Sequence, residues 1–343
     1  MKTLLDYNAR YPPFWRAKRM SGHVFVTRII PAPGLDRVRD YCTEMDIALD
    51  VWGERLPPPY EVLCARASGA VGVVTTVNDR IDAFFMNGVG ATLRVISQMA
   101  VGVDNIDLGA ARARSIAIGH TPGVLTDATA DLTFALLLAS ARRLYESTRY
   151  IEEGEWLTWA PAELLGADIS GATLGVIGYG RIGQAVARRA RAFDMRVLAY
   201  SPSLIPGTEV SGADTVSLDR LLRESDFVSL HCPLNDHTRH LIDADALAKM
   251  QPSARLINTA RGGVVDTAAL YEALITGGLA GAALDVTDPE PLPADHPLMK
   301  LHNVIVVPHI GSATVATRDR MALMTADNLI AGLRGDPLPH AVG

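Results

Sequence analysis

A chain of 343 residues, of which 48% are hydrophobic and only 20% charged, is long enough to bury two hydrophobic cores of ordinary domain size. Its net charge of -6 argues against nucleic-acid binding, because a polyanion is held by a net basic surface. Three cysteines without CxxC or Cys/His spacing argue against a disulfide framework or a bound metal, and indicate buried thiols in a reducing cytoplasm.

Residues 1–22 are predicted to be an N-terminal tail. The segment carries five Lys and Arg residues against one Asp and has no continuous apolar run, so it does not read as a signal peptide. Met20 stands just before the first predicted strand and is an alternative start of the protein. The longest apolar stretch, Phe134–Ser140, is too short to cross a bilayer and predicts a buried helix, so we expect no membrane partner.

Strand-like and helix-like segments alternate along the first third of the chain. The helix at 35–45 is amphipathic, with Val38, Cys42 and Met45 on one side. Strands are predicted at 23–30, 72–76, 93–99 and 116–119. This alternation indicates βαβ units and a mostly parallel sheet.

From Ala172 onward the alternation becomes more regular. Strands are predicted at 173–177, 196–200, 227–232, 255–258, 282–286 and 304–307. Helices are predicted between most of them, at 183–193, 218–224, 244–250 and 267–276. Strands linked by crossover helices in this number predict a doubly wound sheet.

The sequence GYGRIG at 178–183 follows the first of these strands and opens a helix. Gly178 permits a tight turn, Gly180 lets the backbone approach a pyrophosphate, and Gly183 lets the helix pack closely on the sheet. Unpaired amides at the helix start, including those of Arg181 and Ile182, would bind phosphate charge. Because strand, helix and second strand all fall where the motif needs them, the segment predicts a dinucleotide site.

The domain organisation follows from the position of this motif. The predicted class is α/β, with two Rossmann-like domains of doubly wound parallel sheets and the cofactor domain inserted in a discontinuous substrate domain. The dinucleotide-binding domain is predicted at 121–311, and the substrate (catalytic) domain at 23–120 and 312–343. A helix at 131–143 is the predicted connection between the domains, and a helix at 314–334 is expected to return to the first.

The residue after the second strand bears on the choice of dinucleotide. An Asp or Glu near position 201 would bind the ribose 2′-hydroxyl of NAD, but the chain has Ser201. Without that carboxylate, NAD loses a hydrogen-bond partner and NADP escapes a charge repulsion. No Arg follows Ser201 directly, which leaves Arg181 as a substitute contact for the 2′-phosphate. NADP(H) is therefore favoured, and NAD(H) stays open.

Three polar residues lie near the ends of later strands: Arg261, Glu290 and His309. Each alone has the simpler interpretation of a structural polar group. Reduction of a 2-oxo acid needs a cation for the carboxylate and carbonyl, and an acid that protonates the forming alkoxide. It also needs a group that stabilises the protonated acid. The three residues would supply these functions, with Glu290 stabilising the imidazolium of His309.

The order of these residues after the glycine turn is typical of one family. The chain resembles the D-specific 2-hydroxyacid dehydrogenases, and among them the glyoxylate/hydroxypyruvate reductases, from about residue 24 to about residue 338. The motifs that carry this resemblance are VGVD at 101–104, TPGVLTDATADL at 121–132, GYGRIGQAVARR at 178–189, NTARGGVVD at 258–266, LDVTDPEPLPADHPL at 284–298 and PHIGSAT at 308–314.

The resemblance implies roles for individual residues of the predicted cofactor domain. Arg261 matches the family's substrate-binding Arg, His309 its acid/base His, and Glu290 the Glu that assists this His. Asp285 matches a residue that contacts the nicotinamide carboxamide. The other matched positions along the cofactor are Cys232, Pro233, Thr238, Thr259 and Gly311.

Substrate-binding groups are also implied in the first predicted domain. The backbone amides of Val101 and Gly102 match the loop that binds the substrate carboxylate, and Val77 lies on a neighbouring loop. Trp159 matches a Trp that reaches the active site of the partner subunit in the family's dimers. On its own, Trp159 has the simpler interpretation of a hydrophobic interface anchor.

The implied activity is reduction of glyoxylate and hydroxypyruvate to glycolate and D-glycerate by NAD(P)H, with His309 as general acid, in a cytoplasmic homodimer. D-lactate, phosphoglycerate and phosphite dehydrogenases of the same superfamily remain alternatives. Formate dehydrogenases pair the active-site His with Gln, so Glu290 argues against that activity. A non-catalytic dinucleotide sensor is a further alternative, and it would need an exposed apolar groove for a peptide.

Overall fold

The computed structural model describes residues 22–342, so the predicted tail and the alternative start at Met20 lie outside the described residues, apart from Gly22. The chain divides into two compact units. The first unit ends at Pro122 and resumes at Arg318, and the second runs from Gly123 to Thr317. The second unit is therefore inserted in the sequence of the first. No helix within residues 22–342 is long and apolar enough to cross a membrane.

The first unit contains a five-stranded parallel sheet in the order β2-β1-β3-β4-β5. Its strands are β1 (His23–Val26), β2 (Ala48–Val51), β3 (Ala70–Thr75), β4 (Val95–Gln98) and β5 (Ala117–Gly119). Its first helices are α1 (Ala32–Glu44), α2 (Tyr60–Ala67), α3 (Ala83–Val89) and α4 (Leu108–Ala113). The chain reverses its direction of winding between β1 and β3, as in doubly wound sheets.

A long C-terminal helix, α11 (Val315–Arg334), covers one face of this sheet. Small residues permit the close approach: a Cβ on Gly332 would lie 2.5 Å from Val95, and a Cβ on Gly72 would lie 2.9 Å from Leu329. The hydroxyl of Ser97 on β4 donates to a carbonyl of α11 at 2.8 Å. The predicted return of this helix to the first domain agrees with these contacts.

The second unit contains an eight-stranded sheet in the order β13-β12-β11-β10-β6-β7-β9-β8, parallel except for the β8–β9 pair. Its strands are β6 (Thr173–Ile177), β7 (Arg196–Tyr200), β8 (Glu209–Val210), β9 (Ala213–Thr215), β10 (Phe227–Leu230), β11 (Arg255–Asn258), β12 (Gly281–Leu284) and β13 (Val304–Val306). Its helices are α5 (Thr126–Ala141), α6 (Leu144–Glu152), α7 (Arg181–Ala192), α8 (Leu218–Glu224), α9 (Ala244–Lys249) and α10 (Thr267–Ile275). The winding reverses between β6 and β10.

Apolar side chains cover both faces of this sheet. Helices α5 and α7 pack on one face through residues such as Leu137 and Val186. Helices α8, α9 and α10 cover the other face, with Leu221, Leu247 and Leu270 in its core. The helix predicted as a connection between domains thus belongs to the second unit, where it begins five residues earlier than expected, at Thr126.

The predicted fold class, α/β with two doubly wound parallel sheets, is confirmed. Three strands, β6, β7 and β11, and the helix α8 have the predicted bounds. The strand expected at 23–30 was too long, since β1 ends at Val26 and Pro31 precedes a helix that begins at Ala32. Strands β2, β8 and β9 and helices α2, α3, α4 and α6 were not predicted. Most of these are too short, or too exposed, to leave a clear hydrophobic period.

Candidate active site

The chemically important residues of the second unit lie at one edge of its sheet. In a parallel sheet every strand presents its carboxyl end at the same edge, so residues distant in sequence collect there. They follow the strands in this way: Gly178 after β6, Ser201 after β7, Cys232 after β10, Thr259 and Arg261 after β11, Asp285 and Glu290 after β12, and His309 after β13.

The three glycines of the turn have different local surroundings. Gly178 has φ +91°, and a Cβ on it would lie 2.5 Å from the amide nitrogen of Cys232. A Cβ on Gly183 would lie 2.2 Å from the carbonyl oxygen of Gly178. Gly180 has open space where its Cβ would be, with no atom within 4 Å. Gly178 and Gly183 are thus required by the fold, whereas Gly180 leaves room for a ligand.

The start of α7 fits the phosphates of a dinucleotide. The helix begins directly after Gly180, and no side chain caps its first amides. These amides therefore point toward the open space at Gly180 with their hydrogen-bonding capacity available. Arg181 is exposed and Ile182 half-buried in this first turn, so both predicted cofactor residues adjoin the same space.

The loop after β10 packs against the glycine turn and is closed by its own hydrogen bonds. The Thr238 hydroxyl donates to the carbonyl of Pro233 at 2.6 Å and accepts from the amide of Asn235 at 2.8 Å. Cys232 is buried, and burial raises the pKa of its thiol to about 11, so it is a neutral, apolar contact. Just after β11, Thr259 shares a 2.9 Å hydrogen bond with Thr133 of α5.

His309 and Glu290, which the sequence predicted to act together, form a hydrogen-bonded pair. The Nδ1 atom of His309 is 2.7 Å from Oε1 of Glu290, and both side chains are 31% exposed. Burial raises the pKa of Glu290, but the hydrogen bond and charge of His309 outweigh it, with help from Arg261, and hold that pKa below its ordinary value. Glu290 is thus an ionised acceptor, so Nδ1 carries a proton and Nε2 is left to exchange one.

Asp285 holds the turn that presents His309. Its carboxylate accepts hydrogen bonds from the amides of Ile310 at 2.6 Å and Gly311 at 2.8 Å, and its carbonyl accepts from the amide of His309 at 2.9 Å. His309 has φ +52°, a left-handed conformation that non-glycine residues adopt only where the surroundings impose it. Burial raises the pKa of Asp285 despite these amides. The sequence suggested only a cofactor contact for Asp285; its support of this turn was missed.

Arg261 lies in the loop that packs against the Glu290 loop. It precedes a 3-10 turn at Gly262–Val264, and a Cβ on Gly262 would lie 1.9 Å from the carbonyl oxygen of Thr287. The Asn258 side chain fixes the backbone there, donating to the carbonyl of Arg261 at 2.9 Å. Arg261 is half-buried, and its charge contributes to the lowered pKa of Glu290. Arg261 therefore acts electrostatically on the carboxylate that is paired with His309.

Two other histidines, His231 and His237, follow β10 near the same edge of the sheet. Burial lowers the pKa of His231 to about 3, so this imidazole is neutral and does not rival His309 as a proton donor. Its Nε2 atom lies 2.8 Å from the hydroxyl of Ser229. His237 is exposed on the loop after β10. Within residues 22–342, no group of three or more His, Cys, Asp or Glu side chains could hold a metal ion.

The other predicted substrate residues lie on separate parts of the chain. Val77 follows β3 and Val101 and Gly102 follow β4, all half-buried at the carboxyl ends of strands in the first unit. The Nδ1 atom of His120 donates a 2.9 Å hydrogen bond to the carbonyl of Val101. Trp159 lies between α6 and β6 in the second unit and is 80% exposed.

A doubly wound sheet, a glycine turn at its switch point and a Glu–His pair at the same edge define a dinucleotide-dependent dehydrogenase. The family model for the NAD-binding domain of the D-isomer specific 2-hydroxyacid dehydrogenases matches residues 134–311. The chain belongs to this family, as the sequence motifs predicted. It is an NAD(P)-dependent oxidoreductase that acts on CH–OH groups.

Relatives extend this similarity to nearly the whole chain. A glyoxylate reductase from Korarchaeum cryptofilum is 47% identical over 94% of this chain and 96% of its own length. The glyoxylate reductase/hydroxypyruvate reductase of Homo sapiens is 43% identical over 92% of this chain and 96% of its own. The structure of an NADPH-dependent glyoxylate/hydroxypyruvate reductase from Sinorhizobium meliloti, in complex with NADP and malonate, superimposes with a TM-score of 0.81 at 29% identity and covers 94% and 97% of the two chains.

The different surroundings of the glycines give a testable contrast. Gly180→Ala is expected to weaken dinucleotide binding at least tenfold, because its Cβ occupies the space open to the pyrophosphate, while stability falls by less than about 1 kcal/mol. Gly183→Ala forces a Cβ against a carbonyl oxygen and is expected to cost about 1–3 kcal/mol of folding free energy. Fluorescence titration with NADPH and NADH, together with thermal unfolding, measures both effects. Unchanged binding of both dinucleotides by Gly180→Ala would contradict the assignment.

Proposed function

We propose that the protein reduces glyoxylate and hydroxypyruvate to glycolate and D-glycerate with hydride from a nicotinamide dinucleotide. The observation that carries the proposal is the 2.7 Å contact of His309 Nδ1 with Glu290 Oε1 at the sheet edge where the glycine turn lies. Arg261, which follows β11 at the same edge, is suited to a 2-oxo acid, whose carboxylate and carbonyl oxygens both accept from a guanidinium. The relatives named as glyoxylate and hydroxypyruvate reductases support this substrate class.

In this proposal Arg261 binds the substrate carboxylate and polarises the carbonyl, which accumulates negative charge as it is reduced. The backbone amides of Val101 and Gly102 contribute further donors to the carboxylate, and Val77 lies against the substrate. Cys232, Pro233, Thr238, Thr259, Asp285 and Gly311 line the dinucleotide, and Gly178 through Gly183 bind its pyrophosphate. The dinucleotide, when bound, supplies the hydride.

The proton for the new hydroxyl comes from His309. Glu290 accepts the Nδ1 hydrogen bond, so the proton transferred to the alkoxide is the one on Nε2. Glu290 stays ionised beside His309, because the hydrogen bond and charge of His309 outweigh burial and hold the pKa of this carboxyl below its ordinary value. In the reverse direction, oxidation of a 2-hydroxy acid, the neutral imidazole accepts the proton at the same atom.

Substitution of His309 tests the proposed activity. His309→Asn is expected to lower kcat for glyoxylate and hydroxypyruvate by about 10²–10⁴-fold, because the general acid is lost. Asn tolerates the left-handed backbone at this position, so the turn and dinucleotide binding are expected to persist. His302→Ala is the control, since His302 is exposed just before β13, at the opposite edge of the sheet. Stopped-flow and steady-state oxidation of NADPH and NADH measure the rates, and near-normal turnover of the Asn variant would overturn the assignment.

Substitution of Glu290 gives a pH test of the pair. Glu290→Gln keeps an oxygen that can accept the hydrogen bond from Nδ1 of His309, but it removes the negative charge of the carboxylate. The value of kcat/KM for reduction is expected to fall at least tenfold over the whole pH profile, because no ionised group remains beside the proton donor. A profile that superimposes on that of the wild type would contradict the role of Glu290.

Substrate preference is decided by the same assay. Values of kcat/KM for glyoxylate, hydroxypyruvate, pyruvate and 3-phosphohydroxypyruvate compare the proposed activity with those of the lactate and phosphoglycerate dehydrogenases. The proposal requires that one of the first two is the best substrate.

NADPH is proposed as the preferred dinucleotide. Ser201 directly follows β7, and its hydroxyl lies 3.3 Å from that of exposed Ser203, so two neutral donors stand where an NAD-specific enzyme has a carboxylate. Arg181 starts the adjoining helix and is exposed. The Sinorhizobium meliloti relative is named as NADPH-dependent, which supports this choice.

A negative charge placed at position 201 tests whether Ser201 sets the preference for NADPH over NADH. Ser201→Asp is expected to lower kcat/KM for NADPH at least tenfold relative to NADH, because the new carboxylate repels the 2′-phosphate and binds the 2′-hydroxyl. Ser253→Asp is the matched control, since it adds the same charge just before β11, at the opposite edge of the sheet. A wild-type protein that prefers NADH tenfold or more would contradict the proposal.

A homodimer is proposed because the segment at 144–165 of the second unit exposes many apolar side chains. Helix α6 contains no buried residue, although half of the residues of α5, directly before it, are buried. Seven large apolar side chains are exposed in this segment: Leu144, Tyr145, Ile151, Trp156, Leu157, Trp159 and Leu165. Such a concentration of exposed apolar surface is typical of a protein–protein interface. We propose that two copies bind through it, with Trp159 reaching the partner's active site, in the reducing cytoplasm that three free thiols suit.

Charged substitutions within this segment are expected to dissociate the dimer. Leu157→Asp, at a side chain that is 88% exposed, places a charge in the proposed interface and should yield the single-chain mass of 36.7 kDa in sedimentation velocity. Ile275→Asp, at an exposed apolar residue that ends α10, is the control and should leave the dimer intact. A wild-type protein that sediments as a monomer at micromolar concentration would overturn the proposal.

A further inference from the structure

Two loops of the first unit are joined by one asparagine. The first is the turn at 76–79 after β3, which carries Val77, and the second is the loop at 101–105 after β4. The Nδ2 atom of Asn105 donates to the carbonyl of Thr76 at 3.0 Å and to the carbonyl of Asp79 at 2.8 Å. One side chain of the second loop therefore binds both ends of the first.

The turn at 76–79 is also closed from within. The amide of Asp79 donates to the carbonyl of Thr76 at 3.2 Å, and the carboxylate of Asp79 accepts from the amide of Thr76 at 2.7 Å. The hydroxyl of Thr27 donates to the same carboxylate at 2.6 Å, and Asp79 is 3% exposed. Val77, between these two residues, is therefore held in a defined turn.

Gln98, at the end of β4, ties Asn105 to the rest of its own loop. Its Nε2 atom donates to Oδ1 of Asn105 at 2.6 Å and to the carbonyl of Gly102 at 3.3 Å. Its Oε1 atom accepts from the hydroxyl of Thr75, at the end of β3, at 2.6 Å. Gln98 and Thr75 are completely buried.

The network has only one consistent arrangement. The two amide side chains have four N–H donors, and all four have carbonyl or amide-oxygen partners in the network. A rotation of either amide by 180° would turn an oxygen toward backbone carbonyl oxygens that cannot donate. A buried network that is fully satisfied in a single arrangement fixes the groups that it joins.

We propose that Asn105, together with Gln98, is a positioning residue that sets the spacing between the turn carrying Val77 and the loop carrying Val101 and Gly102. The spacing fixes how both loops bind the carboxylate end of a 2-oxo acid. The inference rests on the proposed function, and it adds two residues that need not touch the substrate. Loops of this kind bind the substrate and the transition state equally well. Misplacing them is therefore expected to raise KM and to leave kcat nearly unchanged.

The test compares three single variants of the full-length protein. Asn105→Ala and Gln98→Leu are expected to raise KM for glyoxylate by roughly 10- to 100-fold, since small misplacements of binding groups are costly. Both should keep kcat within about threefold and KM for the dinucleotide within about twofold of the wild-type values. Ser97→Ala is the matched control. It also deletes a buried hydrogen bond from a side chain of β4 to a backbone carbonyl, but that carbonyl belongs to α11 and not to either loop. Thermal unfolding of all three variants measures how much stability each one loses, so that a rise in KM can be compared with the loss of stability.

A double variant tests whether the two side chains act as a unit. Asn105→Ala combined with Gln98→Leu should raise KM no more than the more damaging single variant, because the first substitution already breaks the connection. Independent effects that multiply would overturn the joint role. Asn105→Asp preserves volume and replaces the donors with oxygens, and it gives the same measurement if Asn105→Ala does not fold.

The outcomes separate the inference from the proposed function. A wild-type protein without activity on any 2-oxo acid overturns both. An active wild type whose Asn105 variants keep KM within twofold overturns the inference alone. Equal losses in the Asn105 and Ser97 variants, in proportion to their stability, also overturn it, because they indicate a purely structural role.

Discussion

Parallel alignment of the strands in the eight-stranded sheet is the constraint on which the site depends. Because β6, β7 and β10 to β13 all run in one direction, each delivers the residue after its carboxyl end to the same edge. The glycine turn at 178 and the histidine at 309 are separated by 131 positions in the sequence, and this alignment places both at that edge. The order β10-β6-β7 also puts the reversal of winding beside the turn, and ligands of doubly wound sheets bind at such a reversal.

Predictability from sequence differed between individual elements for a physical reason. Strands β6, β7 and β11 are mostly buried, so they left continuous apolar runs with clear bounds. Strand β2 has no fully buried residue, and helices such as α4 last fewer than two turns, so neither produced a period that could be counted. The Glu290–His309 pair was foreseeable because each residue follows a recognisable strand within a family motif.

Contacts between side chains and backbone groups could not be predicted from the sequence. Nothing in the order of residues shows that the carboxylate of Asp285 accepts from the amides of Ile310 and Gly311, because backbone amides carry no sequence signal. The same holds for Asn105, whose partners are carbonyl groups of the Thr76–Asp79 turn. In both units, a polar side chain just after a strand holds a loop in place, and only coordinates reveal such a partner.

The split of the first unit in sequence has a consequence for the order of synthesis on the ribosome. Gly72, Val95 and Ser97 face a helix that begins at Val315 and is therefore translated well after residues 22–122. The second unit is contiguous, so all its strands are available before that helix exists. Until that helix has been translated, one apolar face of the five-stranded sheet has nothing to cover it, and transiently exposed apolar surface of this kind favours aggregation.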